Sequence, residues 1–278
     1  LMSPHEYLDW VLFFCMSKNL HDLVFKQLMG DQDFSRYFFK TYLPSGLLET
    51  GDSALNLTKM RLLDGRHHEL KTGKLFESDV IYLAPFLYLK DCFFYLHVEH
   101  QSTPDKAMLM RIINYQAAEL TAYAKKFPNK TAPGIISFIY YQGVRPWKGT
   151  HAGFYTESVD FFFNHDLNRH YFGRPFLIDL FSMSENDILK HYYIGPIELL
   201  LKYIRQKSIR KKIEKLMEGL KDINANLKSI LLKYVASVLD LSFTEFVKII
   251  ENNLPHDKDI GMTLAQRLRQ EGRAEGLR

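Results

Sequence analysis

The feature that most constrains the fold is an apolar strand that ends on three consecutive polar residues and leads directly into a helix. Residues 92–98 form a nearly continuous apolar run, which is typical of a strand covered on both faces. The run ends on Glu99, His100 and Gln101, and the turn-forming residues 102–105 follow. Because a buried strand seldom carries a carboxylate without a partner for its charge, the end of this strand is a candidate functional edge.

The pattern around that strand predicts the order helix, three strands, helix, strand. Helical spacing of apolar residues predicts helices, alternation predicts a strand with one solvated face, and continuous apolar runs predict central strands. We expect Pro104 to lie early in the helix that follows, where its missing N–H costs little. The predicted elements are helices from a start at residues 3–4 to 30 and at about 31–42 and 102–127, strands at about 55–62, 79–84, 92–98, 133–141 and 176–179, and a helical pattern beyond 184 that is broken at 252–255 and 261.

Length and composition indicate a globular protein with a substantial core. The chain has 278 residues, of which 46% are hydrophobic and 24% are charged. This length suits one large domain or a core with an appendage, and we expect the second. The predicted division is an α/β domain over residues 1–183, a mainly helical C-terminal region over 184–260 and a polar tail over 261–278.

The cysteines and the N-terminal apolar run predict a cytoplasmic protein without a membrane partner. Cys15 and Cys92 lie among apolar residues, so we expect both to be buried as small hydrophobic side chains in a reducing compartment. The apolar run at residues 10–16 is much shorter than a membrane span and is preceded by acidic residues. We therefore expect neither a transmembrane helix nor a signal peptide.

Side-chain alternation relates the end of this strand to the strand before it. Glu99 and Gln101 share one face, and Glu77 and Asp79 share a face on the preceding strand. An antiparallel hairpin brings Asp79 and Glu99 together only if paired residue numbers sum to an even total, for example Asp79 opposite Gln101. A tight two-residue turn would give an odd sum, whereas Pro85, which cannot donate a ladder hydrogen bond, favours a bulge or a longer loop.

Two carboxylates at one strand end can serve a metal or a purely structural role. Their mutual repulsion is relieved by a divalent cation such as Mg²⁺ or Mn²⁺, which takes carboxylate oxygens and also binds phosphate oxygens. Such an ion can activate water for hydrolysis of a phosphodiester. Alternatively, Asp79 and Glu99 pair only with lysine or arginine side chains, and the residues alone leave both interpretations open.

The segment from Glu99 to Lys106, Glu-His-Gln-Ser-Thr-Pro-Asp-Lys, with Arg111 and Tyr115 after it, resembles a motif of a bacterial family of recombination-promoting nucleases and transposase-like proteins. That motif is Glu-His-Gln-Ser-x-x-Asp. Further segments of the chain agree with the family in order and spacing, and the resemblance is tightest over residues 21–147. These segments are residues 21–26, 78–79, 139–143 and 262–276.

The resemblance implies a restriction-endonuclease-like core of the PD-(D/E)XK type, with αβββαβ order, within residues 1–183. It also implies a Mg²⁺-dependent endonuclease that acts on double-stranded DNA in recombination or at mobile elements. By this resemblance Asp79 is the motif aspartate, Glu99 the second acid and Gln101 the third catalytic position, and the two acids would bind Mg²⁺ or Mn²⁺. Many members of the wider superfamily have lysine in place of Gln101. Glutamine can orient water by hydrogen bonding but brings no charge.

Each further candidate has a functional interpretation and one without a functional role. Glu77, where many relatives have histidine, is a third acid at the metal or a solvated edge residue. Asp22 is a helix-borne metal ligand or a favourable charge at the start of its helix. Lys106, Arg111 and Lys26 contact DNA phosphates or are ordinary surface charges.

Three other features carry less weight. His97 shares the face of Glu99 and is expected to be a packed core histidine, and the adjacent histidines at 67–68 lack zinc-ligand spacing. Gln142 stands where the relatives often have histidine. Between residues 202 and 221, eight cationic residues outnumber two acidic ones and either form a solvated helix face or contact phosphates.

The sequence supports two hypotheses of different class. The first is the metal-dependent DNA endonuclease. The second is a noncatalytic DNA-binding or oligomerising protein on the same fold, favoured by Gln101 and by the basic stretch at 202–221. The glycine-spaced tail at 261–278 or the C-terminal helices would pair the chains of a homo-oligomer.

Overall fold

A computed structural model describes most of the chain as a mixed α/β protein. The described residues are 20–48, 54–63, 66–68, 75–77, 79–90, 92–105, 107–147, 175–239 and 241–255. They contain eight α-helices, a five-stranded sheet and a separate two-stranded sheet. Within these ranges, no helix has both the length and the apolar character needed to cross a membrane.

The elements are numbered in chain order. The helices are α1 (Leu20–Gly30), α2 (Gln32–Tyr42), α3 (Met108–Lys126), α4 (Glu185–Leu189), α5 (Gly195–Tyr203), α6 (Ile209–Glu218), α7 (Ala225–Val238) and α8 (Phe243–Asn253). The strands are β1 (Arg61–Leu63), β2 (Arg66–His68), β3 (Leu75–Glu77), β4 (Val80–Pro85), β5 (Phe93–Gln101), β6 (Gly134–Tyr141) and β7 (Phe176–Asp179). Short 3₁₀ turns lie at Ser45–Leu47 and Leu57–Lys59.

The described residues divide into two compact units. Unit 1 comprises the described parts of residues 1–34 and 183–278, which include α1 and α4 to α8. Unit 2 comprises those of residues 35–182, which include most of α2, all of α3 and the seven strands. The domain division predicted from the sequence stays a prediction, because a compact unit is not by itself an independently folding domain.

The five-stranded sheet of unit 2 combines antiparallel and parallel pairing. The strands lie in the order β1-β4-β5-β6-β7. The first three pair antiparallel, whereas β6 runs parallel to both β5 and β7. Since parallel neighbours need a crossover, α3 connects β5 to β6. The predicted succession of helix, three strands, helix and strand is confirmed in α2, β1, β4, β5, α3 and β6, with β2 and β3 inserted as an antiparallel pair.

Aromatic side chains fill one face of this sheet. Phe38 of α2 lies 6.1 Å from the ring of Phe138 and 5.7 Å from that of Tyr140, both on β6. Phe39 reaches Tyr82 on β4, with 5.6 Å between ring centroids. Because the partners on β4 and β6 are even-numbered, the even-numbered side chains of these strands form the face toward α2.

The opposite face packs against α3. Residues of α3, β6 and the loop after β6 form one buried cluster, and the odd-numbered strand residues therefore lie on the α3 side. The cluster consists of Met108, Leu109, Ile112, Ile139, Tyr141 and Trp147. Covered on both faces, β4 to β6 have the environment that their continuous apolar runs predict.

Two predicted element boundaries are wrong. The segment predicted as a strand at 55–62 contains the 3₁₀ turn at Leu57–Lys59, and only Arg61–Leu63 joins the sheet. The helix predicted from residue 102 begins at Met108, so Pro104 lies in the preceding turn. Asp105 keeps that turn non-helical, because its Oδ1 accepts a hydrogen bond of 2.8 Å from the N–H of Ala107.

The expected burial of Cys92 is also wrong, whereas Cys15 lies outside the described residues. Cys92 is an exposed free cysteine that immediately precedes β5. Its carbonyl accepts a hydrogen bond of 3.1 Å from the N–H of Phe86, which closes the turn between β4 and β5. The apolar neighbours that suggested burial include Phe93 and Phe94, and Phe94 packs against Phe86 with ring centroids 5.4 Å apart.

Unit 1 is a set of packed helices, three of which have starts capped by side chains. Helix α1 contacts α7, and α6 contacts both α5 and α8. Ser184 and Asn224 each accept a backbone N–H hydrogen bond at the starts of α4 and α7. At the start of α8, Ser242 and Glu245 form a reciprocal capping box, which satisfies two backbone N–H groups that the helix itself leaves unpaired.

We expect Ser242→Ala to lower the free energy of unfolding by about 1 kcal/mol, because it removes the side-chain half of this capping box. Urea unfolding followed by circular dichroism measures the loss. Ser208→Ala is the matched control, because Ser208 precedes α6 without a capping hydrogen bond from its side chain. Equal losses in the two variants would contradict the assigned role of the cap.

Candidate active site

The strand register brings Asp79 and Glu99 to the same end and the same face of the sheet. Val80 pairs with Val98, so paired residue numbers sum to an even total, which is the condition for the two acids to share a face. Continued by one residue, this register places Asp79 level with Glu99, and not opposite Gln101 as in the predicted example. All three are odd-numbered and therefore lie on the α3 side.

One hydrogen bond connects the two acids directly, and a second joins Asp79 to β5. The backbone N–H of Asp79 donates to Oε1 of Glu99 across 3.3 Å. The backbone N–H of His100 donates to Oδ2 of Asp79 across 2.7 Å. Each carboxylate is thus held by the strand that carries the other, so the two acids converge at the end of β4 and β5.

The Glu99 carboxylate is fully buried and has charge compensation. Its side chain is 0% exposed, and His97 Nε2 lies 2.9 Å from Oε1. Arg111 Nη2, on α3, donates to Oε2 across 3.0 Å. A buried carboxylate is strongly destabilising unless it is paired, and these contacts supply that partner.

A buried polar chain positions the imidazole of His97. Ser137 Oγ lies 3.2 Å from His97 Nδ1, and Gln116 Nε2 donates to the same oxygen across 2.9 Å. Because a carboxylate oxygen accepts hydrogen bonds, Nε2 carries the proton that His97 donates to Glu99, while Nδ1 faces the Ser137 hydroxyl. His97 is therefore a core residue, as predicted, but it also orients the candidate acid, which the sequence analysis missed. Its position two residues before Glu99, on the same strand face, was the available indication.

Arg111 bridges the buried acid and the solvent. Its Nη1 donates to Oδ2 of Asp105 across 3.2 Å, and its side chain is 35% exposed. Burial has the largest single effect and would lower the pKa of the Arg111 guanidinium, but the charge of Glu99 and the interactions with Tyr115 and Asp105 together outweigh it, so the pKa is raised. Burial, followed by the charge of Glu99, raises the pKa of the Tyr115 phenol. The guanidinium therefore stays charged at all ordinary pH values.

Gln101 and Gln142 lie at the ends of the two parallel strands. The half-buried Gln101 accepts a hydrogen bond of 2.8 Å from the N–H of Gln142 through its backbone carbonyl. The buried Gln142 side chain contacts His100, with 3.2 Å between Oε1 and Nε2. Gln142 thus supports the sheet end through His100, while Gln101 lies on the face of the two acids.

A third acid, Asp179, lies at the same sheet end, and the sequence analysis missed it. It is level with Tyr141 on β6. Its carboxylate accepts from the backbone N–H of Trp147 at 3.0 Å and from the Ser182 hydroxyl at 2.6 Å. Asp179 thus fastens the segments after β6 and β7 to each other. Its place in a four-residue strand gave no sequence indication of that role.

The described part of the structure does not place Glu77 or Lys106 at this site. Glu77 ends β3 and pairs with Arg66 in the two-stranded sheet, so the expectation that it shares a strand with Asp79 is wrong. β3 ends at Glu77 and β4 begins at Val80, and the Glu77 side chain is outside the described part of the structure. Lys106 is also outside it. The proposed roles of these two residues stay predictions.

The N-terminal candidates lie in unit 1, on α1. Asp22 is in the first turn and forms an ion pair with Lys26 one turn later, with 3.5 Å between Nζ and Oδ2. His21 forms a hydrogen bond with the hydroxyl of Tyr234 on α7. These contacts fit the electrostatic interpretation of Asp22, and its role as a metal ligand and the DNA contact by Lys26 stay predictions.

The donor chemistry fits a hard divalent cation with two protein ligands. In the part of the chain that the structure describes, no group of three or more His, Cys, Asp or Glu side chains could hold a metal ion. Asp79 and Glu99 offer carboxylate oxygens, the ligands that Mg²⁺ and Mn²⁺ prefer. Two such ligands are sufficient, because Mg²⁺ commonly binds through one or two carboxylates together with water. The close approach of Arg111 to Glu99 indicates that this acid requires a positive partner.

Comparison with known proteins identifies similar sequences across most of the chain. The family model described as "putative transposase, YhgA-like" matches residues 19–231. The inactive recombination-promoting nuclease-like protein RpnE of Escherichia coli strain K12 is 28% identical over 92% of this chain and 83% of its own length. The recombination-promoting nuclease RpnD of Escherichia coli O157:H7 is 27% identical over 89% of this chain and 93% of its own length.

A third relative is the recombination-promoting nuclease RpnC of Escherichia coli strain K12. It is 31% identical over 71% of this chain and 62% of its own length. No solved structure matches the chain. The named relatives therefore include two nucleases and one protein described as inactive.

Proposed function

The chain belongs to the YhgA-like transposase family, and from this premise we propose that it is a metal-dependent endonuclease that hydrolyses phosphodiester bonds of double-stranded DNA. Relatives named as recombination-promoting nucleases support a nuclease role in recombination. We further propose that β1, β4, β5, α3 and β6 form a restriction-endonuclease-like core of the PD-(D/E)XK type. Three antiparallel strands followed by a crossover helix and a parallel strand support that assignment.

One observation carries the proposal. Asp79 and Glu99 lie together at the end of two central strands, on the face that also holds Gln101, where the N–H of Asp79 donates to Glu99 and the N–H of His100 donates to Asp79. Glu99 is fully buried and Asp79 half-buried, and two carboxylates at such close range repel each other. A shared divalent cation would relieve that repulsion, which supports a metal site at this position.

The proposed cofactor is Mg²⁺ or Mn²⁺, held by Asp79 and Glu99. When bound, the ion would supply a Lewis acid that activates water and stabilises charge on the phosphate. His97 orients Glu99 from the buried side. The Gln101 amide, on the same strand face as Glu99, would hold the attacking water by hydrogen bonding. Gln101 brings no charge of its own, so we expect slower chemistry than a lysine at this position would give.

The proposed DNA contacts are Arg111, Lys106 and Lys26. A guanidinium matches the two oxygens of a phosphate, and Arg111 is partly exposed beside the two acids. A homo-oligomer through the C-terminal helices or tail is also proposed. It rests on the sequence of residues 184–278 alone.

A noncatalytic DNA-binding protein is the rival proposal. One relative is named inactive, and Arg111 already compensates the charge of Glu99 without a metal. The rival predicts DNA binding that weakens with salt and does not depend on divalent ions.

Plasmid cleavage by the full chain separates the two proposals. We expect supercoiled DNA to be nicked or linearised with Mg²⁺ or Mn²⁺ and to remain intact with EDTA. DNA binding is measured in parallel by fluorescence anisotropy at several salt concentrations. Binding that is unaffected by metal, together with intact plasmid under every condition, would favour the noncatalytic protein.

A further inference from the structure

We propose that Arg111 is an exchangeable counter-cation, which occupies the positive position beside Glu99 until DNA phosphate draws it away and the metal replaces it. The inference rests on the proposed function and adds how metal and DNA binding are coupled at that site. In the sequence analysis Arg111 was a candidate phosphate contact. Because it also forms an ion pair with Glu99, it has two alternative partners, the Glu99 carboxylate and a DNA phosphate.

The first step concerns what Glu99 requires. Its side chain is 0% exposed; Arg111 forms an ion pair with it, and His97 forms a hydrogen bond with it. The carboxylate oxygen Oε1 faces His97 and the backbone of Asp79, whereas Oε2 faces Arg111. A cation that approaches from the solvent side meets Oε2, which is the atom that the guanidinium occupies.

The second step concerns whether Arg111 can leave. The side chains of Arg111 and Asp105 are 35% and 33% exposed, so the ion pair between these two residues lies at the surface. Arg111 is the fourth residue of α3, and the buried residues of that first turn are Met108 and Leu109. Movement of the long side chain therefore needs no repacking of the helix. Its departure alone would leave a buried charge without compensation, so an incoming cation has to replace it.

The third step concerns what draws Arg111 away. A guanidinium binds a phosphate through two parallel hydrogen bonds, and it remains charged throughout. A DNA phosphate at the end of β5 would offer the guanidinium a partner and would also bring negative charge close to the incoming metal. Because two cations side by side repel each other, DNA binding and metal binding become mutually favourable once Arg111 has changed partner.

Coupling of this kind predicts a specific change in metal affinity. Without DNA, we expect Arg111→Gln to bind Mn²⁺ about 10-fold more tightly than the wild type, within the range usual for coupled sites. Calorimetry or the electron paramagnetic resonance of free Mn²⁺ measures the affinity. A short DNA duplex should tighten Mn²⁺ binding to the wild type and have a much smaller effect on Arg111→Gln.

Two control variants and one measurement on the wild type sharpen the test. Arg111→Lys keeps the charge and should stay near the weak wild-type affinity for Mn²⁺. Lys125→Gln removes an exposed cation at the far end of α3 and should leave the affinity unchanged. If Arg111→Gln does not fold, the increase in Mn²⁺ affinity that DNA gives the wild type still tests the exchange.

The outcomes distinguish this inference from the proposed function. Equal Mn²⁺ affinities of wild type and Arg111→Gln, with or without DNA, would overturn the exchange even if DNA is cleaved. Weaker binding of Mn²⁺ by Arg111→Gln would overturn it too, since Arg111 would then assist the metal. Absence of Mn²⁺ binding in both proteins, together with intact plasmid, would remove the proposed function along with the inference.

Discussion

The Asp79→Asn variant is expected to cleave DNA about 10²- to 10³-fold more slowly than the wild type, a loss typical of removing one group that stabilises charge in a transition state. Asparagine keeps an oxygen that can accept the hydrogen bond from the N–H of His100, which Asp79 accepts at 2.7 Å. It lacks the negative charge that a divalent cation requires. The variant should therefore keep its fold and lose metal affinity.

Asp79 is a better position for this test than Glu99. Replacing Glu99 would leave Arg111 and His97 without their buried partner, so lost activity could follow from an altered fold. The rate is measured as nicking of supercoiled plasmid with Mg²⁺, and thermal unfolding checks the fold. Asp222→Asn, an exposed acid in unit 1, is the control and should cleave at the wild-type rate. Undiminished cleavage by Asp79→Asn would exclude the proposed metal site.

The largest effect on stability is expected from Phe138→Ala, at about 3–5 kcal/mol of unfolding free energy. The Phe138 side chain is 0% exposed on β6. It lies between the rings of Phe38 and Phe39 on α2, at 6.1 and 6.0 Å, and stacks on Phe176 of β7 at 5.4 Å. Truncation removes contacts with a helix and a neighbouring strand and leaves a cavity that a close-packed interior fills only in part.

Phe176→Ala is the matched control for this prediction. Phe176 belongs to the same stacked pair but is 44% exposed, so its truncation removes less buried area and should cost clearly less. Urea unfolding is followed through Trp147, which packs against Tyr141 with ring centroids 5.0 Å apart in unit 2. Replacing Trp10 by phenylalanine leaves Trp147 as the sole tryptophan. Similar losses in the two phenylalanine variants would contradict the packing described for Phe138.

The sequence was sufficient to show that Asp79 and Glu99 share a face if the paired residue numbers sum to an even total, because side chains alternate along a strand. It left the register itself open, and the even sum comes from the structure. The sequence was not sufficient to show that Glu77 and Asp79 belong to different strands. β3 ends at Glu77 and β4 begins at Val80, but the hydrophobic pattern of these residues also fits a single strand. The prediction of a strand at 55–62 was wrong for a related reason. Alternation over a few residues also fits a 3₁₀ turn followed by a short strand.

The partner of Arg111 depends on tertiary packing, which the sequence does not contain. Met108, Leu109 and Ile112 fix the rotation of α3 against the sheet, and that rotation decides whether Arg111 points to solvent or to Glu99. The sequence did contain a weaker indication. A buried glutamate at a strand end needs a cation, and the following helix supplies one in its first turn.

The exposed thiol of Cys92 has a practical consequence for following DNA arrival at the protein. Cys92 precedes β5 and Glu99 lies near the other end of that strand, so about 23 Å of extended backbone separates them. A fluorophore attached there would sit within energy-transfer range of a dye on a bound duplex without obstructing the two acids. With Cys15 replaced by serine, maleimide chemistry would modify this single position.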